Sequence, residues 1–290
     1  MSRVIVPFNF SSELDPLPGI ESPLHKFSGY TILSGRPGSG KSTALLNLIL
    51  RGKHYGGKFD VVYLISPSSG SMDDGLLASL PEDQVYNELN IETLDEILKQ
   101  ITERHQGKKV LLLLDDVVND LSTVTTQRAL QKLLYNRRHL TSVDKSARKG
   151  GFVSVIMTTQ VLNRIPLQLR KMASSVWLWP TRSQPEIRSI RDELVPTSKD
   201  AFQRVLQQAW TGRHTPLIVD VDNGTFWHIG EPHGEFERIV TSDDYESGSA
   251  GATGKPMPPI AEDDRESPEP EDPVARAKHL VMRRYKQMYQ

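Results

Sequence analysis

Cysteine is missing from all 290 residues. Its absence excludes a disulfide framework, a thiolate metal site and a cysteine nucleophile, and it suits a reducing compartment. Long apolar runs are missing too. The longest near the centre, Val110 to Leu114, falls far short of the ~20 residues needed to span a bilayer. The first residues, Met1 to Leu14, lack the charged-then-apolar pattern of a secretory signal. The expectation is a soluble, non-secreted protein without a membrane span. An excess of one charge is lacking as well, since the formal net charge is −1. That balance hides an uneven distribution. Thr241 to Pro273 carries ten acids against Lys255 and Arg265, whereas Val274 to Gln290 carries five basic residues and no acid.

What is present is an alternation of apolar strands and amphipathic helices. Strands are expected at Gly29–Ser34, Phe59–Ile65, Lys108–Asp116, Phe152–Thr159 and Ser175–Trp179. Between and after them, helical spacing predicts helices at Thr43–Gly52, Asn90–His105, Ser122–Arg138, Ile165–Ala173, Pro185–Leu194 and Ser198–Trp210. A hairpin over Pro216–Ile229, turning at Asn223-Gly224, closes the series. Such alternation predicts an α/β fold with a mostly parallel central sheet, helices on its faces and a C-terminal hairpin. The chain divides into a lead-in (1–28) running extended over the surface, one α/β domain (29–240), a disordered acidic linker (241–273) and a basic helix (274–290).

Gly35-Arg36-Pro37-Gly38-Ser39-Gly40-Lys41-Ser42 meets every fixed position of the Walker A pattern, between a predicted strand and a predicted helix. Glycines let such a loop wrap until its backbone N–H groups converge on phosphates, and the following helix points its positive end at them. Lys41 would place a compact cation on the β- and γ-phosphates of ATP. The Ser42 hydroxyl would ligate Mg²⁺, with Thr43 in support. No Asn-Lys-x-Asp guanine signature is present, which disfavours GTP.

A second apolar strand, Lys108 to Leu114, ends in Asp115-Asp116. A strand that apolar is covered on both faces, so its carboxylates emerge only at the carboxyl end, where open α/β sheets bind ligands. Asp115 is the candidate Mg²⁺ ligand and Asp116 the candidate general base. The strand Phe152 to Thr159 delivers Gln160 to the same edge, and an amide there can donate and accept hydrogen bonds together.

These segments, with Phe59-Asp-Val-Val-Tyr-Leu-Ile-Ser-Pro67, Arg138-His139 and Pro166-Leu-Gln-Leu-Arg170, resemble the poxvirus-type genome-packaging ATPases of large DNA viruses. Those belong to the FtsK–HerA superfamily of ring-forming DNA pumps. The similarity runs in order from Gly29 to Ile229. It implies an oligomeric ring, pentameric or hexameric, that hydrolyses ATP and drives double-stranded DNA into a preformed capsid, in the virion or at assembly sites in the host cytoplasm. It further implies an arginine reaching the neighbouring subunit's site, with Arg138 and Arg170 as candidates. The stretch Leu140–Gly150 is longer than the family pattern, which leaves Arg148 open as well. The basic loop Arg137–Lys149 is a candidate DNA contact, and the basic C-terminal segment a candidate capsid or portal-vertex contact. Other readings of the same loop are a monomeric nucleotide-kinase-like phosphotransferase and a nucleotide-gated capsid assembly factor.

Overall fold

The protein's structure, a computed structural model, describes residues 15–67, 80–144, 149–230 and 234–241. The acidic linker beyond Thr241, the basic C-terminal segment, Lys145 and Arg148 lie outside those residues.

In chain order the elements begin with β1 (Tyr30–Ser34), α1 (Lys41–Leu50), β2 (Val61–Ile65), β3 (Val85–Tyr86), α2 (Ile91–Arg104) and β4 (Val110–Leu114). After a 3₁₀ segment at Val117–Ser122 come α3 (Val124–Asn136), β5 (Ser142–Asp144), β6 (Lys149–Gly150), β7 (Val153–Thr159), α4 (Leu167–Arg170) and β8 (Ser175–Leu178). Then α5 (Gln184–Arg188) runs into a π-helical turn at Ser189–Leu194, and α6 (Lys199–Ala209), β9 (Leu217–Asp220), β10 (Thr225–Ile229) and β11 (Phe236–Ile239) follow.

Among the described residues nine strands form one sheet in the order β11-β10-β9-β8-β1-β7-β4-β2-β3. From β3 through β8 every pairing is parallel; β9, β10 and β11 add on antiparallel. Central strands are buried on both faces and their residues alternate between two cores. Val110, Leu112 and Leu114 of β4 enter one, with Tyr30, Val155, Met157 and the inner faces of α2, α3 and α6. Leu111 and Leu113 enter the other, with Leu33, Ile156, Trp177 and the α1 leucines Leu45 and Leu48. This period-two division explains why β4 reads as continuous leucine, and each such leucine contributes about 1.5–3 kcal/mol by leaving water.

Helix starts follow local chemistry. Asn90 accepts from Thr93 N at 2.8 Å, Thr123 from Thr126 N at 3.3 Å and Ser198 from Ala201 N at 3.2 Å, each satisfying a first-turn donor. Two expectations change. The described part of the lead-in folds back, Leu17 N donating to Lys26 O at 2.7 Å, and it buries Leu17 and Ile20 in the α1-side core. The β9–β10 connection spans residues 221–224 rather than two residues: Asn223 hydrogen-bonds the Asp220 carboxylate, and Gly224 supplies the positive φ.

Candidate active site

Four parallel neighbours deliver polar groups to one edge of the sheet. The carboxyl ends of β1, β2, β4 and β7 carry the Gly35–Ser42 loop, Ser66, Asp115-Asp116 and Gln160. The strand bearing Gln160 lies between the loop strand and the acid strand. That order brings the amide to the acid pair: Gln160 Nε2 donates to Asp116 Oδ2 at 2.8 Å.

The loop holds its shape through two glycines. At Gly35 an added Cβ would lie 2.7 Å from the Trp179 side chain, too close for any larger residue. Gly40 adopts φ 101° immediately before α1, a backbone region that favours glycine. No side chain caps that helix, so its first-turn N–H groups remain available to an anion. Lys41 Nζ donates to the carbonyls of Gly35 and Arg36. Its burial lowers the ammonium pKa, and the charges of Asp116 and Asp115 oppose that shift.

The acid pair is fixed by hydroxyls that the sequence reading did not single out. Thr158 Oγ1 donates to Asp115 Oδ1 at 2.7 Å and accepts from Asp116 N at 3.0 Å, so one hydroxyl ties the two acids to β7. Ser66 Oγ donates to Asp115 Oδ2 at 3.2 Å. Asp116 has φ 51° and is, among the described residues, the one non-glycine residue with positive φ. Such a conformation costs about 1–3 kcal/mol and persists where surrounding contacts enforce it; here Thr158 and Gln160 supply them.

A third element leans on the loop from outside the motifs. In the α6–β9 connection, His214 Nδ1 bonds the Ser39 carbonyl at 3.0 Å, and Trp179 Nε1 donates to His214 O at 3.2 Å. A carbonyl only accepts, so His214 carries its proton on Nδ1. Arg213 lies against Gly38. No spacing rule points to these residues, because they fall about 175 positions after the loop they touch.

One cavity of about 940 Å³ unites these parts. Its lining includes Gly38, Gly40, Lys41, Ser42, Thr43, Asp115, Asp116, Thr158, Gln160 and His214. Among the described residues no three His, Cys, Asp or Glu side chains gather as a metal cage. The Ser42 hydroxyl and the Asp115 carboxylate, both on the cavity wall, would suit Mg²⁺, which keeps waters and takes phosphate oxygens as further ligands.

Arg138 and Arg170 lie elsewhere, outside the lining of that cavity. Arg137 O accepts from Val153 N at 2.9 Å, which puts Arg137 and the adjacent Arg138 at the amino end of β7, opposite the loop. The small β5–β6 hairpin shares that edge, with Gly107 N donating to Thr141 O beside it. Arg170 is buried: its guanidinium donates to both Glu193 oxygens, at 2.9 and 3.2 Å, and to Ile165 O at 2.8 Å.

The family model of the NB-ARC domain matches residues 23–147, less than half of the chain, taking in the loop and the acid pair but ending before Gln160. Among solved structures, the genome-packaging NTPase B204 of Sulfolobus turreted icosahedral virus 2, in complex with sulfate, superposes with a TM-score of 0.51 at 18% identity, covering 72% of this chain and 98% of that one. B204, the DNA-packaging ATPase from Sulfolobus turreted icosahedral virus, gives 0.50 at 16% identity, with 71% and 98% covered. The chain has the P-loop NTPase fold. No curated protein matches the sequence. Pro37, Gly38, Gly40, Lys41 and Ser42 of the loop line the same cavity as Asp115 and Asp116. Among the described residues no helix is long and apolar enough to cross a membrane.

Proposed function

We propose that the chain is an ATPase that drives double-stranded DNA into a viral capsid as a homo-oligomeric ring. The single observation that carries the hydrolytic part is the bond from Gln160 Nε2 to Asp116 Oδ2 on the rim of the cavity that contains Lys41. The phosphates would lie on the loop, against Lys41 and the first turn of α1. Asp116, held at a positive φ, would take the proton of an attacking water. Gln160, its N–H engaged by Asp116, would present its carbonyl oxygen to that same water. Ser42 and Asp115 would hold Mg²⁺, whose charge offsets that developing on the transferred phosphoryl group.

The translocase part rests on the motif resemblance and on a fold shared with virus packaging NTPases. Arg138 supports it by position. Lying at the opposite edge from its own loop, it would act on phosphate only in an adjacent subunit's site, completing that site in trans. The basic residues between Arg137 and Lys149 would face the DNA, binding backbone phosphates without reading sequence. The basic C-terminal segment would meet the capsid or portal vertex. Assembly in the virion or in the host cytoplasm follows from that reading.

The test is the ATPase rate with and without double-stranded DNA, on protein whose oligomeric mass has been measured. A ring whose turnover rises with duplex DNA supports the proposal. A monomer that ignores DNA and passes phosphate to a small acceptor would favour the kinase-like reading.

A further inference from the structure

The cavity is longer than a phosphate site requires. From the loop it continues along α1, lined by Ala44, Leu48, Arg51 and His54 on the helix side and by Trp177, Ile229 and Phe236 on the sheet side. From Lys41 to Leu48 the helix advances about 10 Å at 1.5 Å per residue. That is the span of a ribose and a purine beyond the phosphates. The far arm thus begins where the charged part of a nucleotide would end.

Its chemistry changes with distance. Three rings meet there: the centroids of His54 and Phe236 are 5.3 Å apart with a 44° tilt, and Phe236 meets Trp177 edge-on at 5.7 Å and 81°. Trp177 is almost wholly buried while Phe236 is only partly so, and the two close the sheet-side wall. Burial, with the nearby charges of Lys53, Arg51 and Lys58, pushes the His54 imidazole down to about 4, so it is uncharged at neutral pH. An uncharged aromatic wall suits the flat, weakly polar face of a base. Phosphate, by contrast, is matched by the Lys41 end.

We propose that this arm, walled by Trp177, Phe236 and His54, seats the nucleobase of the triphosphate whose phosphates lie on the Gly35–Ser42 loop. The inference rests on the nucleotide-binding reading above and assigns its base-recognition site. It also gives β11 a purpose: the strand completes the sheet edge and brings Phe236 to the nucleotide.

The experiment compares ATP with inorganic tripolyphosphate, each with Mg²⁺, by calorimetry on the full chain. Wild-type protein is expected to bind ATP at least tenfold more tightly than tripolyphosphate, since base–aromatic contacts contribute about that much or more. Phe236→Leu keeps apolar bulk on β11 but removes the ring. It is expected to weaken ATP about tenfold while leaving tripolyphosphate within twofold, and His54→Ala should act in the same direction. Equal affinity of wild type for the two ligands, or parallel losses of both in Phe236→Leu, would overturn the base seat. Lys41→Ala separates the two readings. If it loses both ligands while Phe236→Leu keeps full ATP affinity, only the base seat fails. If it loses neither, the phosphate site and the base seat fail together.

Discussion

Gln160 and Asp116, 44 residues apart in sequence, are joined by a 2.8 Å hydrogen bond because β7 lies between the loop strand and the acid strand. The amide orients the carboxylate and is itself oriented by it. Gln160→Leu keeps the approximate side-chain volume and removes both polar atoms. It is expected to lower kcat by about a hundredfold with little change in ATP affinity. Steady-state kinetics beside a direct binding measurement checks this, and a rise in KM at constant kcat would assign Gln160 to binding alone.

Thr158 is the other tie between the acids. Thr158→Val leaves the shape intact but strands the Asp116 N–H and frees one oxygen of Asp115. The expected cost is about 1–3 kcal/mol of stability, with Mg²⁺ affinity lower by about tenfold or more, the usual effect of losing a residue that orients a metal ligand. Urea unfolding and a Mg²⁺ titration of ATPase activity read the two effects separately.

Arg170 is expected to matter for folding. Its guanidinium is spent on Glu193 and Ile165 O inside one subunit. Arg170→Ala should destabilise the protein by about 2–3 kcal/mol, because a carboxylate and a buried carbonyl lose a charged partner. Turnover measured well below the melting temperature should stay near wild type. A stable Arg170→Ala protein with abolished turnover would show that the arginine leaves this pairing to serve catalysis.

Stability should also depend on His54 in mild acid. Its folded-state pKa lies near 4, below the ordinary histidine value of 6.5, through burial and then Lys53, Arg51 and Lys58. The unfolded chain therefore binds the proton first. His54 contributes full stability above pH 6.5, and that contribution declines as pH falls from about 6.5 towards 4. Thermal melts of wild type and His54→Gln across that window should converge on acidification. Parallel curves would show that His54 titrates normally.

Sequence alone made the loop, the acid pair and the glutamine legible, because their spacing is fixed by the chain itself: strand, turn, then the chemical group. Core strands were legible for a related reason, since Leu111 to Leu114 must be covered on both faces. What stayed hidden depends on neighbours distant in sequence. Thr158 bridges the acids only once β7 is known to pair with β4, and Arg170 meets a glutamate 23 positions away. Strand β11 exposes Glu237 and Arg238 at the sheet edge and follows no apolar alternation, and β3 is two residues long. His214 reaches the loop from a connection that carries no motif.

The positive φ of Asp116 decides the substitution that tests the account most directly. Asparagine tolerates that backbone region nearly as well as aspartate, so Asp116→Asn removes the carboxylate charge with little backbone penalty. The measurement pairs ATP affinity with the hydrolysis rate of bound ATP in a single turnover. Affinity within about threefold of wild type is expected, with hydrolysis slower by about a hundredfold or more. An Asp116→Asn protein that hydrolyses bound ATP at the wild-type rate would contradict the assignment of this carboxylate as the base.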